Sequence, residues 1–280
     1  MTDHTHNTPT LVLGGTGKTG RRVVQLLRAR GLPVRAGSRA GTPRFDWDDR
    51  ATWEPALRGA TSAYVSFAPD LAVPGAADTI AAFARQAVGA GVRRLVLLSG
   101  RGEDEARRAE RAVQAAGAAW TIVRCSWFSQ NFSESFLLDP VLAGEVALPV
   151  DGVPEPFVDV EDVADVAVAA LTDERHAGAV YELTGRRLLR FADAIDEIAR
   201  VSGRPVRFVP VSAERYAAEL AGHGLPGDVV SLMTYLFAEV LDGRNAHLED
   251  GVQRALGREP RDFGDYARAA AAAGAWGEVV

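Results

Sequence analysis

A glycine-rich turn between an apolar strand and a helix limits the possible folds of this chain more than any other feature. Residues 11–13 are apolar, glycines follow at Gly14, Gly17 and Gly20, and residues 21–27 have the apolar spacing of a helix. Because glycine has no Cβ, the backbone can turn tightly there and come close to a ligand. The order of strand, turn and helix predicts a parallel α/β sheet in which this turn binds the pyrophosphate of a dinucleotide.

Three other interpretations of the turn compete with a dinucleotide site. The sequence Gly-Lys-Thr at 17–19 resembles the end of a P-loop, but that motif needs a glycine where this chain has Val12. A turn without a ligand does not account for the strand before it and the helix after it. A catalytic role for the lysine is less consistent with its place in a phosphate turn than a phosphate or surface role. We assign the whole turn to cofactor binding: Gly14, Gly15, Thr16, Gly17, Lys18, Thr19 and Gly20.

Composition excludes several classes of protein. The 280 residues are 47% hydrophobic and 24% charged, which is typical of a globular chain with one large or two modest domains. The net charge of −6 argues against a nucleic-acid partner, and no apolar run reaches the roughly 18 residues of a membrane span. Cys125 is the only cysteine and the five histidines lack metal-binding spacing, so no metal site is predicted. We expect a cytoplasmic protein with a small-molecule substrate, and the oligomeric state stays open.

Strand and helix patterns alternate along most of the chain. Strands are predicted at residues 11–13, 34–37, 44–46, 62–67, 94–98, 120–124, 179–183 and 206–211. Helices are predicted at 75–90, 103–116, 159–171, 190–202, 214–221, 228–241, 252–256 and 263–273. This alternation predicts a Rossmann fold, which is a doubly wound parallel α/β sheet.

The chain is predicted to divide into a nucleotide domain and a lid. Residues 10–150 are assigned to an NADP-binding Rossmann domain. Residues 151–280 are assigned to a smaller, mostly helical C-terminal substrate lid, with segments that return to the main sheet. Residues 1–9 are polar and lack an apolar signal core, so we expect a disordered lead-in there.

The residues after the second predicted strand indicate which dinucleotide binds. NAD sites place an acidic side chain at this point, whereas NADP sites place a cation near the 2′-phosphate. Here Ser38 and Arg39 follow the strand, and no acidic residue occurs before Asp46. Arg39 can form a charge-assisted fork to a phosphate and Ser38 can add a hydroxyl. We therefore predict NADP(H), although Arg39 can also be an exposed loop arginine.

Further cofactor contacts are expected where other strands end, because ligands of such sheets bind beyond the carboxyl ends of the strands. Asp46 and Trp47 can flank the adenine, and a packing role for Trp47 is equally consistent with the sequence. Phe67, Ala68 and Pro69 can line the ribose of the nicotinamide.

Six segments of the chain together carry a family resemblance. They are GGTGKTG (14–20), RLVLLSG (94–100), ERAVQAAG (110–117), WTIVRCSWFSQN (120–131), FVDVEDVA (157–164) and VYELTG (180–185). In combination they resemble the NmrA-like family of atypical short-chain dehydrogenases/reductases, over nearly the whole chain. The resemblance implies a Rossmann domain that binds NADP. It also implies either reduction of quinones or azo compounds, or nucleotide binding without turnover in the regulation of transcription factors.

The catalytic pair of typical short-chain dehydrogenases cannot form in this chain. That pair is Tyr-x-x-x-Lys, in which the lysine lowers the pKa of the tyrosine, but Lys18 in the glycine turn is the only lysine. Ser99 follows the strand at 94–98, where the resemblance places the reactive centre. It can contact the cofactor and orient a substrate carbonyl, or merely cap its strand. A quinone remains a suitable acceptor, because water can protonate the relatively acidic hydroquinone product.

An aromatic group after the strand at 120–124 is the candidate substrate site. Its rings can stack on a flat ligand, and its amide can donate to a carbonyl; the residues are Trp127, Phe128, Asn131 and Phe132. The alternative is that the rings hold the lid to the Rossmann core, which we favour for Phe128. The sequence thus predicts an NADPH-dependent oxidoreductase of a quinone-like, azo or other conjugated or carbonyl molecule. The alternative function is a non-catalytic NADP-binding redox sensor.

Overall fold

The computed structural model describes residues 8–277. Positions 1–7 of the predicted lead-in lie outside the described residues. Two compact units are present. The first contains the chain up to Cys125 together with Val160–Leu183 and Asp250–Arg258, and the second contains Ser126–Asp159, Thr184–Glu249 and the described chain from Glu259. The first boundary therefore falls at Cys125 instead of residue 150, and two later segments belong to the first unit.

The secondary structure consists of ten strands and twelve α-helices within the described residues. The strands are β1 (Thr10–Leu13), β2 (Val34–Gly37), β3 (Ser62–Val65), β4 (Arg94–Gly100), β5 (Ala119–Cys125), β6 (Glu145–Leu148), β7 (Pro154–Glu155), β8 (Ala179–Leu183), β9 (Leu189–Arg190) and β10 (Arg207–Pro210). The helices are α1 (Lys18–Ala29), α2 (Trp53–Leu57), α3 (Ala76–Gly89), α4 (Asp104–Gln114), α5 (Asn131–Glu134), α6 (Leu138–Ala143), α7 (Val160–Thr172), α8 (Phe191–Ser202), α9 (Ala213–Gly222), α10 (Gly227–Tyr235), α11 (Gly251–Leu256) and α12 (Phe263–Ala272). Two 3-10 helices span Arg50–Thr52 and Glu174–His176, and a π-helix spans Leu236–Val240.

The first unit is built on a six-stranded sheet with the order β2-β1-β3-β4-β5-β8. All its strand pairs are parallel. The chain passes from β1 to β2 on one side and then to β3 on the other, so the strand order reverses at β1. Ligands of open α/β sheets bind at such a reversal. The sheet confirms the predicted doubly wound Rossmann fold, and β2 and β8 have the predicted bounds.

Residues are buried on both faces of this sheet, and one cluster of the core lies on one of these faces. Period-two alternation turns every second residue of β1, β3 and β4 towards that face. The fully buried strand residues of this cluster include Leu11, Leu13, Ala63, Leu95 and Leu97. Ile80 and Phe83 of α3 pack in the same cluster, so the apolar spacing that predicted this helix is the face it buries.

The predicted strand at residues 44–46 is wrong, because these residues have no strand conformation and pair with no other strand. Phe45 is 3% exposed and packs against Trp53 and Phe83, with ring centroids 6.4 and 5.7 Å away. Its N–H donates to the carbonyl of Ser38 at 2.9 Å. The segment is therefore a loop that is held in place by the buried ring of Phe45 and by a local backbone hydrogen bond. In the sequence, this buried aromatic residue has the same apolar character as a strand residue.

The second unit combines helices with two short sheets. β6 pairs in parallel with β10, and β7 pairs antiparallel with β9. Its core is aromatic and includes Phe132, Phe157, Phe191, Phe263 and Trp276. Trp276 has no exposed surface, and its indole N–H donates to the carbonyl of Phe132 at 2.9 Å. Within residues 8–277, no helix has both the length and the apolar character needed to cross a membrane.

Candidate functional site

The glycine turn forms a tight connection from β1 into α1. Gly14 has φ +64°, a conformation that favours glycine. The N–H of Gly17 donates to the carbonyl of Gly14 at 2.8 Å, and Gly17 is the N-cap of α1 without a side-chain cap. The helix starts at Lys18, three residues before Arg21, where the apolar spacing begins. The N–H groups of its first turn are thus placed directly at the glycine turn.

Two of the glycines are required by packing, and at Gly17 a Cβ would lie 3.2 Å from the carbonyl oxygen of Gly14. A Cβ on Gly20 would lie 2.1 Å from the carbonyl oxygen of Gly14, and one on Gly15 would lie 2.8 Å from the Cβ of Ala36. Gly17 is exposed, as is Thr16. The first turn of α1 contains no acidic residue. An anion such as a pyrophosphate can therefore approach the positive end of the helix dipole without like-charge repulsion.

Ser38 and Arg39 lie directly after β2, next to the glycine turn. The carbonyl of Ser38 accepts the N–H of Gly41 at 3.0 Å, which fixes the start of the loop. Arg39 is exposed. The pKa of Asp46 is lowered, first by a hydrogen bond from Arg44 at 2.6 Å and also by the charge of Arg39. The loop thus presents cationic side chains beyond β2, as a 2′-phosphate requires.

Trp47 and Phe67 form one wall at this edge of the sheet. The indole N–H of Trp47 donates to the carbonyl of Ser66 at 3.2 Å, and its ring centroid lies 5.0 Å from that of Phe67. The ring centroid of Trp47 also lies 5.2 Å from that of the buried Phe83. Trp47 therefore has a packing role in the structure. Ala68 and Pro69 are exposed.

The predicted cofactor residues thus all belong to the first unit. Each group follows the carboxyl end of a strand: the glycine turn follows β1, Ser38 follows β2 and Phe67 follows β3. Because these strands are parallel neighbours, their carboxyl ends meet at one edge of the sheet. The contacts with a dinucleotide assigned from the sequence stay predictions, and this shared edge is what makes them compatible with one ligand.

Ser99 lies in a buried ion network. Its hydroxyl donates to Oε1 of Glu110 at 2.6 Å, and Nε of Arg124 donates to the same oxygen at 2.8 Å. Arg124 also pairs with Glu182, to which Nε of Arg101 donates at 3.2 Å. Burial alone would raise the pKa of Glu182, but Arg124 and Arg101 outweigh it, and the pKa is lowered. Glu182 is therefore held in its ionised form, and the hydrogen bond to Glu110 fixes the Ser99 hydroxyl towards α4.

Two buried carboxyl groups at the same edge were not predicted from the sequence. Glu103 follows β4 and is 9% exposed, and its Oε2 has no hydrogen-bond partner within residues 8–277. Burial raises its pKa well above the usual range, and the charges of Asp70 and Glu110 add to the rise. Burial also raises the pKa of Asp70, against the N–H of Ala72 and the charge of Lys18. No sequence signal separates Glu103 from an exposed residue before a helix.

The candidate substrate residues lie in the second unit, where Trp127 packs among other aromatic rings. Trp127 is half-buried, and its ring lies 4.7 Å from that of Phe237 in the π-helix and 5.7 Å from that of Phe191. Phe136 is 38% exposed and lies 6.3 Å from Trp127. π-Helical turns occur frequently at functional sites, and here one supports an aromatic surface.

Two of the other three substrate candidates are buried. Phe132 has no exposed surface and packs against Phe157 at 5.5 Å, so it is a core residue and its assignment to the substrate is corrected. Phe128 is half-buried and forms an isolated β-bridge with Val158. Asn131 is 8% exposed and begins α5.

Among the described residues, no group of three or more histidine, cysteine, aspartate or glutamate side chains can hold a metal ion.

Comparisons with known proteins place this geometry in context. Residues 14–174 match the model of a family described as NAD(P)H-binding. The agroclavine dehydrogenase of Claviceps fusiformis is 31% identical over 275 residues, which cover 91% of this chain and 95% of that protein. The NAD(P)H azoreductase of Xenophilus azovorans is 31% identical over 288 residues, covering 94% and 98%. The Citrobacter sp. triphenylmethane reductase complexed with NADP(H) shares the fold, with a TM-score of 0.75 and 18% identity over 94% of this chain and 99% of that one.

Proposed function

The chain belongs to the NAD(P)H-binding, NmrA-like family of atypical short-chain dehydrogenases/reductases, and we propose that it is an NADPH-dependent reductase of a conjugated small molecule. The acceptor class comprises quinone-like, azo and other conjugated or carbonyl compounds. The observation that carries the proposal is the shared edge of the sheet, where a turn suited to a pyrophosphate, a cationic loop and an aromatic wall follow β1, β2 and β3.

Each part of that edge fits one part of NADPH. The N–H groups at the start of α1 bind the pyrophosphate, since Gly17 leaves them uncapped. Arg39 and Ser38 bind the 2′-phosphate, which selects NADPH over NADH. Asp46 and Trp47 lie beside the adenine. Phe67 lies beside the nicotinamide ribose, together with the exposed residues Ala68 and Pro69. When bound, the cofactor supplies a hydride from C4 of the nicotinamide.

The acceptor is a molecule that takes a hydride readily. The sole lysine is in the glycine turn, so no Tyr-x-x-x-Lys pair is available to activate a poor acceptor such as an unconjugated ketone. Trp127 offers a ring surface on which a planar conjugated molecule stacks. These two features support quinone-like and azo acceptors, and the 31% identity to an azoreductase agrees with that class.

Turnover separates this function from the alternative of an NADP-binding redox sensor, which the missing Tyr-x-x-x-Lys pair also allows. The experiment follows NADPH oxidation by the purified protein with a quinone, an azo dye and a cationic triphenylmethane dye, and measures the Kd values of NADPH, NADP+ and NADH. We expect turnover with at least one acceptor and tighter binding of NADPH than of NADH. No turnover with any acceptor, together with NADP+ binding as tight as NADPH binding, would favour the sensor.

A further inference from the structure

We propose that the carboxyl group of Glu103 supplies the proton that completes the reduction of a neutral acceptor. The inference rests on the proposed reductase function and deepens it, because a chain without a Tyr-x-x-x-Lys pair needs another proton source when hydride transfer leaves a strongly basic atom, as in an azo or a simple carbonyl compound. The geometry of Glu103 and the groups that surround it carry the argument.

The first observation is where the carboxyl group lies. β4 ends at Gly100, and a Cβ on Gly100 would lie 2.0 Å from Oε1 and 2.4 Å from Oε2 of Glu103. The carboxyl group of Glu103 therefore occupies the space that a side chain at the last residue of β4 would take. Gly100 pairs with Cys125, the last residue of β5. The acid is thus held at the carboxyl edge of the sheet, the edge at which ligands of this fold bind.

The second observation is that one oxygen of this buried carboxyl group is unused. Glu103 is nine-tenths buried, and within the described chain its Oε2 atom has no hydrogen-bond partner. An ionised oxygen left in this state is costly, whereas a protonated carboxyl group carries no net charge. In contrast, both oxygens of Glu110 nearby are bonded by Arg124. Glu103 is the carboxyl group of this edge that the cationic side chains leave uncompensated.

The surrounding charges favour the protonated form. Burial is the main cause of the raised pKa of Glu103, and the negative charges of Asp70 and Glu110 raise it further. Two nearby cations interact with other carboxyl groups. The charge of Lys18 opposes the rise in the pKa of Asp70, and Arg101 donates a hydrogen bond to Glu182. The charge of Asp70 thus opposes the ionisation of Glu103, so Glu103 holds its proton to a higher pH than an exposed glutamate does.

The reduction balances with Glu103 as the proton source. The acceptor, an azo or carbonyl double bond, gains a hydride with its electron pair from C4 of the nicotinamide at one atom. The other atom of the double bond gains the proton as the O–H bond of Glu103 breaks. The acceptor is reduced by two electrons, NADPH is oxidised to NADP+, and the Glu103 carboxylate recovers a proton from solvent. A cationic triphenylmethane dye needs only the hydride, because its neutral product requires no proton.

This difference between acceptors provides the test. In Glu103→Gln the side chain keeps its size but cannot lose a proton, so we expect reduction of an azo dye to slow about a hundredfold. Reduction of a cationic triphenylmethane dye should remain as in the wild type, as should the Kd of NADPH. The matched control is Asp104→Asn, which removes the adjacent exposed carboxylate and should change neither rate.

A spectroscopic measurement tests the proton without turnover. We expect the infrared spectrum of the wild type near neutral pH to contain the C=O stretch of a protonated carboxylic acid, and Glu103→Gln to lack it. Absence of that band in the wild type overturns the proposal, as does an equal effect of Glu103→Gln on both dyes or an effect on neither. A wild type that reduces no acceptor contradicts the reductase function itself, so the two failures are distinct.

Discussion

Arg124 on β5 binds both carboxylate oxygens of Glu110 on α4, with Nε 2.8 Å from Oε1 and Nη2 2.5 Å from Oε2. The residues are 7% and 3% exposed. Such a bidentate, buried pair fixes α4 against the sheet, and the hydroxyl of Ser99 joins it through the same oxygen. We therefore regard Ser99 as part of this support, with its hydroxyl committed to Glu110.

Breaking this pair from one side is expected to destabilise the protein strongly. Arg124→Met leaves Glu110 and Glu182 without their shared cation, and we expect the free energy of unfolding to fall by about 3–5 kcal/mol. Urea denaturation measures the change. Arg215→Ala, which breaks an exposed pair with Glu219 in α9, should have little effect. Comparable losses in the two variants would mean that the buried network is not the stronger support.

Arg39→Ala tests the selection of NADPH. Loss of a charge-assisted contact with the 2′-phosphate is worth about 1.5–3 kcal/mol, or roughly ten- to a hundredfold in Kd. We expect the Kd of NADPH to rise by that factor and the Kd of NADH to stay constant, as measured by fluorescence titration. Arg85→Ala, at an exposed position of α3, is the control. Equal Kd values of NADPH and NADH in the wild type would contradict the prediction.

Gly20→Ala tests the packing of the glycine turn. The added Cβ would lie 2.1 Å from the carbonyl oxygen of Gly14, so the turn must shift. We expect a loss of about 1–3 kcal/mol in the free energy of unfolding and weaker NADPH binding. Gly89→Ala at the end of α3 is the control, since a Cβ there meets nothing within 4 Å. If NADPH binds to Gly20→Ala as it does to the wild type, the turn does not hold the cofactor.

The raised pKa of Glu103 predicts a defined pH dependence of stability. The unfolded side chain releases its proton near about pH 4, whereas the folded one retains it to higher pH. The contribution of protonated Glu103 is therefore present below about pH 4 and is lost as the pH rises towards the folded pKa. We expect the Tm of Glu103→Gln relative to the wild type to increase from about pH 5 to about pH 8. Parallel profiles would show that Glu103 ionises normally.

The sheet of the first unit was readable from the sequence because its signals are local. The bounds of β2 and β8 follow from short strand-like segments between turn residues, and α3 follows from the spacing of Ile80 and Phe83. Local signals also misled: Phe45 has the apolar character of a strand residue but is buried by rings at distant positions, Trp53 and Phe83. Only the tertiary contacts distinguish these cases.

The second unit and the buried Glu103 were less predictable for a related reason. β6 pairs with β10 across 62 residues, as between Glu145 and Arg207, and neither two-residue strand of the other sheet has a detectable period. The burial of Glu103 depends on the absence of a side chain at Gly100, and its raised pKa depends also on Asp70 in the loop after β3. Residue type and spacing do not predict that burial.

Transfer of deuterium from C4-labelled NADPH to a cationic triphenylmethane dye tests the reductase function most directly. The hydrogen received by the central carbon of the dye forms a C–H bond that does not exchange with water, so mass spectrometry of the product reports its origin. We predict one deuterium per molecule of colourless product, and a slower reaction with the labelled cofactor. With deuterium at both C4 positions of the cofactor, a colourless product without deuterium would contradict hydride transfer by this protein.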